Sequence, residues 1–345
     1  MVFFGGVHSV LMSLIFGQHR AVHALEAALK GGRLHHAWVF SGPKGVGKHL
    51  TALWFAERLL GCNNSRDLHC ICKEDVTWAQ NPALQKRKQT NIPIDLLRER
   101  IVGGKTSDGK THDSVAFKTS FGGGKKVFII DEAELLDEAG QNSLLKTLEE
   151  PPLGTIIILV TSREDLLLPT ITSRCQSVMF SPLDEDEMVR WSQSRNLAIE
   201  CDNVGWVLQI SGGSPGFACE IISTSMYALY TEISGFLAKE NCGGYVRERV
   251  LITEFVESSV ALWLKENKNA SKEAANRRAF LLVLLLFGHA ARSNVRGSQV
   301  EIGVALIDIV TDVELQLHSN VSMVVLIESL VARWSNVQPG ALLRK

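Results

Sequence analysis

The chain is 345 residues long, enough for two or three domains, and 46% of it is hydrophobic, enough for buried cores. Lys and Arg total 36 against 37 Asp and Glu, a formal net charge of -1, which argues against a chain that grips duplex DNA over a broad face by itself and favours contact shared with partners. Seven Cys spread thinly along the chain do not make a disulfide-stapled secreted domain and point to a reducing cytoplasm.

Residues 1–16 are largely apolar but lack the basic flank and the small-residue cleavage site of a signal peptide. Residues 37–41 read as an apolar strand, a Gly-rich turn follows, and 48–60 carries apolar residues at helical spacing. The stretch 102–124 is rich in Gly, Ser and Lys and reads as an exposed loop. Residues 127–130 and 156–160 are β-branched runs of strand length. Between them 137–150 reads as a helix with Leu144, Leu145 and Leu148 on one face, stopped by Pro151 and Pro152. Alternating strands and helices predict a parallel sheet covered on both faces.

Beyond about Pro182 the strand signal ends. Asp184 with Glu187 three residues later predicts a capping box. Helices are expected over 245–264, 272–287 and 321–334, with Gly pairs at 212–213 and 243–244 as joints. The apolar run 280–287 is too short to span a bilayer, which needs about 20 residues, and reads as a buried helix. There is no internal repeat.

Chemistry concentrates first at Gly42-Pro43-Lys44-Gly45-Val46-Gly47-Lys48-His49, between a strand and a helix. That is the setting of a phosphate loop, in which glycines let backbone N–H groups converge on phosphate oxygens and a Lys, here Lys48, reaches the β- and γ-phosphates. A Ser or Thr hydroxyl normally closes the pattern and holds Mg²⁺; here the residue is His49, and imidazole suits softer metals. Two readings stay open: a loop that holds ATP or ADP weakly and hydrolyses it poorly, or a structural relic without ligand. Asp131 and Glu132 follow the strand at 127–130. They have the chemistry of a metal-holding carboxylate and a general base, although acidic residues also commonly start helices after strands.

The residues now converge on one family. Phe16-Gly17-Gln18, the run from Leu34 to Phe40 leading into the phosphate loop, Asp131-Glu132-Ala133-Glu134, the run from Asn142 to Pro152, and the run from Leu168 to Cys175 resemble, in that order, the clamp-loader subunits of the AAA+ superfamily. The resemblance covers roughly 16–180 and matches the remainder only in length and helical class. It implies a P-loop α/β domain over 1–181, a helical lid over 182–226 and a helical C-terminal collar domain over 227–345. It also implies that Arg174, in Ser173-Arg174-Cys175, is an arginine finger for a neighbouring subunit's ATP site. The alternative is a surface Arg in an ion pair.

Two departures separate the chain from the motor subunits of that family. One is His49. The other is Gly216, in Gly213-Ser214-Pro215-Gly216, at the position where motor subunits place a nucleotide-sensing Arg; Thr161 or Ser162 keeps a hydroxyl at the other sensor position. The resemblance therefore implies a subunit that donates a finger but does not fire, with Glu132 vestigial. Its implied partners are the motor gamma/tau and delta subunits, the sliding clamp and, through the complex, primed DNA in a nucleoid-associated bacterial replisome. A catalytically active gamma/tau-like motor and a free-standing DNA-remodelling AAA+ motor are the alternatives. Many clamp-loader subunits hold zinc with four Cys after the P-loop helix. Here only Cys62, Cys70 and Cys72 fall there, with His69 adjacent, and the one-residue gap between Cys70 and Cys72 is tight, so a metal-free knuckle is favoured over a Cys62, His69, Cys70, Cys72 site. The basic run Lys86-Arg87-Lys88 could touch phosphates or be a solvated face.

Overall fold

The computed structural model describes residues 8–31, 34–61, 65–86, 89–122, 124–197, 203–239, 245–267, 270–296, 300–317, 319 and 321–337. The chain forms two compact units, one of residues 1–191 with 213–216, the other of 192–212 with 217–345.

In the first unit, α1 (His8–Ser13) and α2 (His19–Lys30) precede β1 (Ala37–Ser41), and α3 (Lys48–Leu60) leads to β2 (Leu68–Ile71). Short helices α4 (Pro82–Gln85) and α5 (Ile94–Leu97) come before the hairpin β3 (Gly104–Lys105) and β4 (Thr111–His112). Then follow β5 (Lys126–Ile130), α6 (Glu138–Glu149), β6 (Thr155–Thr161), α7 (Pro169–Thr172), β7 (Gln176–Met179) and α8 (Glu185–Ser194). The sheet is parallel, in the order β2-β5-β6-β1-β7. Its central strands are buried on both faces, as continuous β-branched and aromatic runs such as Val127–Ile130 require. One face packs Val39, Phe128, Ile130 and Leu159 under Leu144 and Leu148 of α6. The other packs Trp38, Phe40, Ile129 and Ile158 under Phe55 and Leu59 of α3.

The expected strands and helices of this unit form within a residue or so of their predicted ends. The stretch 102–124 differs from the loop expected of it. It carries the hairpin β3–β4, Thr106 and Ala116 are buried, and Lys126 Nζ reaches the carbonyls of Val115 and Lys118 at 2.7 and 2.5 Å. Burial lowers the pKa of that ammonium, so a Lys at the head of β5 fastens the loop rather than meeting water. Half of the predicted capping box forms: Glu187 N donates to Asp184 Oδ1 at 2.8 Å, while the Glu187 carboxylate turns to His19 and Arg190 instead.

The second unit is helical: α9 (Val204–Ile210), α10 (Pro215–Ser223, entering from the first unit), α11 (Met226–Leu237), α12 (Val246–Glu266), α13 (Lys272–Arg296), α14 (Val300–Leu317) and α15 (Met323–Asn336). The apolar run at 280–287 lies within α13, whose stretch Lys272–Val295 is long and apolar enough, by length and composition, to cross a bilayer. Within this unit, however, Phe280, Leu282, Val283, Leu286 and Phe287 are buried among neighbouring helices, and Phe287 meets Trp334 edge-on at 4.7 Å. Gly212 and Gly213 adopt left-handed conformations suited to a joint; 243–244 lie outside the described residues.

Candidate functional site

Parallel pairing brings three strand ends to one edge of the sheet. Ser41 at the end of β1 is in register with Thr161 at the end of β6, and Ile130 at the end of β5 with Leu159. The loop after β1, the acidic pair after β5 and the hydroxyls after β6 therefore meet at the carboxyl edge, where α/β sheets place ligands.

Gly42, Gly45 and Gly47 all have positive φ, and a Cβ on Gly42 would stand 2.2 Å from the Phe180 carbonyl oxygen. Only Gly makes this turn against β7. Beneath the loop, buried Gln18 donates to the carbonyls of Val46 and Ser181 at 3.2 and 2.8 Å. Lys48 Nζ donates to the carbonyls of Gly42 and Pro43, each at 2.6 Å. Burial pushes its ammonium down to about 8, against the opposing pull of Glu134 and Asp131. The lysine that should meet phosphate thus closes on its own loop.

His49 places Nδ1 3.1 Å from Asp131 Oδ2, a charge contact in which Nδ1 has no partner of hydrogen-bond geometry. Burial works against the imidazolium, but the Asp131 carboxylate outweighs it and raises the pKa. Burial likewise opposes the Asp131 carboxylate, and His49 more than compensates, holding its pKa low. The pair does not fit Mg²⁺: imidazole nitrogen stands where an oxygen ligand is needed, and the carboxylate that could serve is engaged with it. Glu132, in the left-handed region at φ 49°, binds Lys44 at 3.2 Å and also Lys73. Those lysines overcome the effect of burial and keep its carboxylate pKa low, the reverse of what a general base at neutral pH needs.

The hydroxyls after β6 are likewise engaged. Thr161 Oγ1 accepts from Arg163 N at 3.0 Å, and Ser162 donates to Glu134 Oε1 at 2.5 Å. Above the loop, Ser214 Oγ donates to Lys44 O and Gly216 N to Gly45 O, both at 2.9 Å. A Cβ on Gly216 would stand 2.7 Å from Gly45 Cα. Gly216 is therefore a packing requirement as well as a missing sensor: residues 213–216 are pressed onto the phosphate loop. Lys73, Glu134 and the loop-contacting role of Gly216 were not apparent from the sequence. Lys73 carries no motif signal, because only the pairing of β2 with β5 brings it to Glu132.

Arg174 lies outside this cluster, after α7. Its guanidinium pairs with Glu149 at 2.7 Å and donates to Thr170 O at 2.9 Å, and its side chain stays 37% exposed. Buried Gln141 fixes the approach to it, donating to Leu136 O and Leu166 O and accepting from Leu168 N at 2.7 Å. The cysteine region has no metal geometry among the described residues: no three His, Cys, Asp or Glu side chains converge there or elsewhere. Cys70 lies on β2, and His69 stacks on Phe128 at 4.8 Å; Cys62 lies outside the described residues, as do Arg87 and Lys88 of the basic run.

The family model described as DNA polymerase III, delta subunit matches residues 17–184. The matched segment contains the phosphate loop, the acidic pair and Arg174; Gly216 lies beyond it. The chain is similar to DNA polymerase III subunit gamma/tau of Mycobacterium tuberculosis, 30% identical over 234 residues that cover 65% of this chain and 39% of the relative. It is also similar to the subunits delta' of Bacillus subtilis, 30% identical over 56% of this chain and 59% of the relative, and of Escherichia coli, 32% identical over 56% of each. The chain thus spans about two fifths to three fifths of the length of these relatives. A gamma-subunit-related protein of Thermotoga maritima aligns over 91% of this chain and 98% of its own, at 16% identity and a TM-score of 0.46. The fold is a P-loop α/β domain with a parallel sheet followed by a helical C-terminal region.

Proposed function

We propose that the chain is a delta-prime-type subunit of a DNA polymerase III clamp loader, which supports ATP-dependent loading of a sliding clamp on primed DNA without hydrolysing ATP itself. One observation carries the proposal: the charged side chains the chemistry would need at its own phosphate loop are engaged within the chain. Lys48 is bound to loop carbonyls, His49 stands against Asp131, and Glu132 is held by Lys44 and Lys73. Nucleotide binding by this chain is accordingly weak or absent.

Arg174 is the proposed finger. A guanidinium placed at the charge developing on a neighbour's γ-phosphate is worth about 10³ to 10⁵ in rate in other phosphoryl-transfer systems. Its present partner, Glu149, holds it by an exposed ion pair worth about 0–1 kcal/mol, a small obstacle to re-aiming. Residues 182–226 and 227–345 are the proposed lid and collar, the latter for assembly with gamma/tau and delta subunits. The proposed setting is the bacterial cytoplasm, at the replisome. Zinc is not a proposed constituent; metal analysis of chelator-free protein, with one tightly held zinc per chain as the contrary result, checks this.

The test is ATP hydrolysis by the purified chain alone and reconstituted with gamma/tau, delta, clamp and primed DNA. The chain alone is expected to be inactive, and Arg174→Ala is expected to lower turnover of the intact complex, with Lys a poor substitute. Turnover of about 1 s⁻¹ by the chain alone, abolished by Lys48→Ala, would instead support a gamma/tau-like motor, a reading favoured by the similarity to gamma/tau. Full activity of an intact complex carrying Arg174→Ala would remove the finger. DNA-stimulated hydrolysis by the chain without other subunits would point to a free-standing remodelling motor.

A further inference from the structure

The loop before β5 has a composition unlike that of the chain. Residues 100–125 carry five Lys or Arg against two Asp, where the whole chain has a net charge of -1. All five basic side chains are exposed. The same loop also exposes Phe117, 54% exposed, and Phe121, 76%, and Trp78, bonded to the loop through its carbonyl, is 67% exposed.

These rings stand on anchored backbone. Ala116, next to Phe117, donates its N–H to Ile101 O at 3.0 Å and accepts from Thr155 Oγ1 at 3.1 Å. Lys126 Nζ bonds the carbonyls on either side, of Val115 and Lys118. The N–H groups of Phe121 and Gly122 donate to the buried Asp67 carboxylate at 2.9 and 3.1 Å. That carboxylate faces inward, while the neighbouring Arg66 places its guanidinium 5.7 Å from the Phe121 ring centre. Trp78 is tied to the same edge, its carbonyl accepting from Arg100 at 3.4 Å. The fastened loop holds both phenylalanines exposed, Phe121 with the Arg66 guanidinium beside it.

We propose that this edge of the first unit, beside β2, binds single-stranded nucleic acid, with Trp78, Phe117 and Phe121 stacking on bases and Arg66, Arg100 and Lys118 meeting phosphates. The chemistry selects this occupant. Every base has a π-face, so exposed rings bind a strand without regard to sequence, and cations between the rings track its backbone. A duplex hides the faces of its bases in the stack and leaves the rings nothing to stack on but its ends. An apolar protein partner would not account for five exposed cations, of which Lys110 and Lys118 pair, among the described residues, with Asp108 and Asp113 of the same loop at 3.5 and 3.3 Å. The proposal concerns the chain alone and does not rest on its membership of a clamp loader.

The test is fluorescence anisotropy of the full chain with labelled 25-mers of oligo-dT and oligo-rU and a 25-base-pair duplex, titrated with salt. Oligo-dT is expected to bind more tightly than duplex, with affinity falling as salt rises. Comparable binding of oligo-rU assigns the site to single strands in general, and weaker binding assigns it to DNA; both support it. Phe117→Ala and Phe121→Ala, checked for retained folding by circular dichroism, are each expected to weaken oligo-dT binding about fivefold or more, and Phe121→Tyr to retain it. Lys118→Glu is expected to weaken binding and flatten the salt dependence. Absence of oligo-dT binding in low salt, or binding that the double Ala variant leaves unchanged, overturns the proposal and makes the surface a protein-docking face.

Discussion

His49 is the residue at which chemistry and stability separate. As a replacement for a metal-binding hydroxyl it removes an oxygen ligand; as a partner of Asp131 it adds a pH-dependent contact. Its pKa is raised above the ordinary 6.5, so its contribution is fully present below 6.5 and is lost as pH rises through the folded value. Asp131 behaves oppositely: its pKa is held below the ordinary 3.8, and its contribution is lost as pH falls through that lower value. Both side chains are about a third or more open to solvent, which limits the pair to under about 1 kcal/mol. The thermal midpoint is expected to fall between pH 6.5 and 8.5 more steeply in the wild type than in His49→Gln, by scanning calorimetry; parallel curves would show that the contact contributes nothing. Gly216 presents a steric case. A Cβ there would sit 2.7 Å from Gly45 Cα, and backbone on both sides gives little room. Gly216→Ala is expected to destabilise the first unit by about 1–3 kcal/mol, read from urea unfolding, whereas Ser214→Ala loses one hydrogen bond worth about 0.5–1.5 kcal/mol. Equal and negligible losses would mean that the segment does not hold the loop.

Among the elements, α6 does more than cover the sheet. Its buried Gln141 makes three hydrogen bonds to the backbone at Leu136, Leu166 and Leu168, and so fixes the path to α7 and Arg174. Gln141→Ala leaves those groups without partners and is expected to lose about 2–4 kcal/mol. In the reconstituted complex it should also lower turnover, although residue 141 is not itself the finger. Unchanged stability by urea titration would remove Gln141 from this role. The elements most legible in the sequence are those with strong local signals. The runs at 127–130 and 156–160 are long, apolar and β-branched, and Asp137 caps α6 through Gly140 N at 2.6 Å. Edge strands β2 and β7 gave no such signal, since each has four residues with mixed burial. The candidate site divides in the same way. The phosphate loop and acidic pair are contiguous motifs and were readable. Lys73 opposite Glu132, and Gly216 against Gly45, join residues 59 and 171 positions apart, which no local pattern encodes.

For the molecule as a whole, the two units carry separate cores. Trp334 is fully buried in the second, edge-on to Phe287, and its carbonyl accepts from Lys239 Nζ at 2.6 Å. Trp334→Ala is expected to destabilise that unit by about 3–5 kcal/mol. The change should appear in calorimetry as a shift confined to the transition of the second unit. A single transition that moves as one would show the units to be thermodynamically coupled. The seat of residues 213–216 on the phosphate loop also bears on how the chain is made. Ser214 and its acceptor Lys44 are 170 residues apart, and the first unit takes back these four residues only after the chain has contributed 192–212 to the second. During synthesis the sheet can assemble once 191 has left the ribosome, but the loop must wait for 216. Until then a nascent chain displays an unlatched phosphate loop, and its completion is a late step of high contact order.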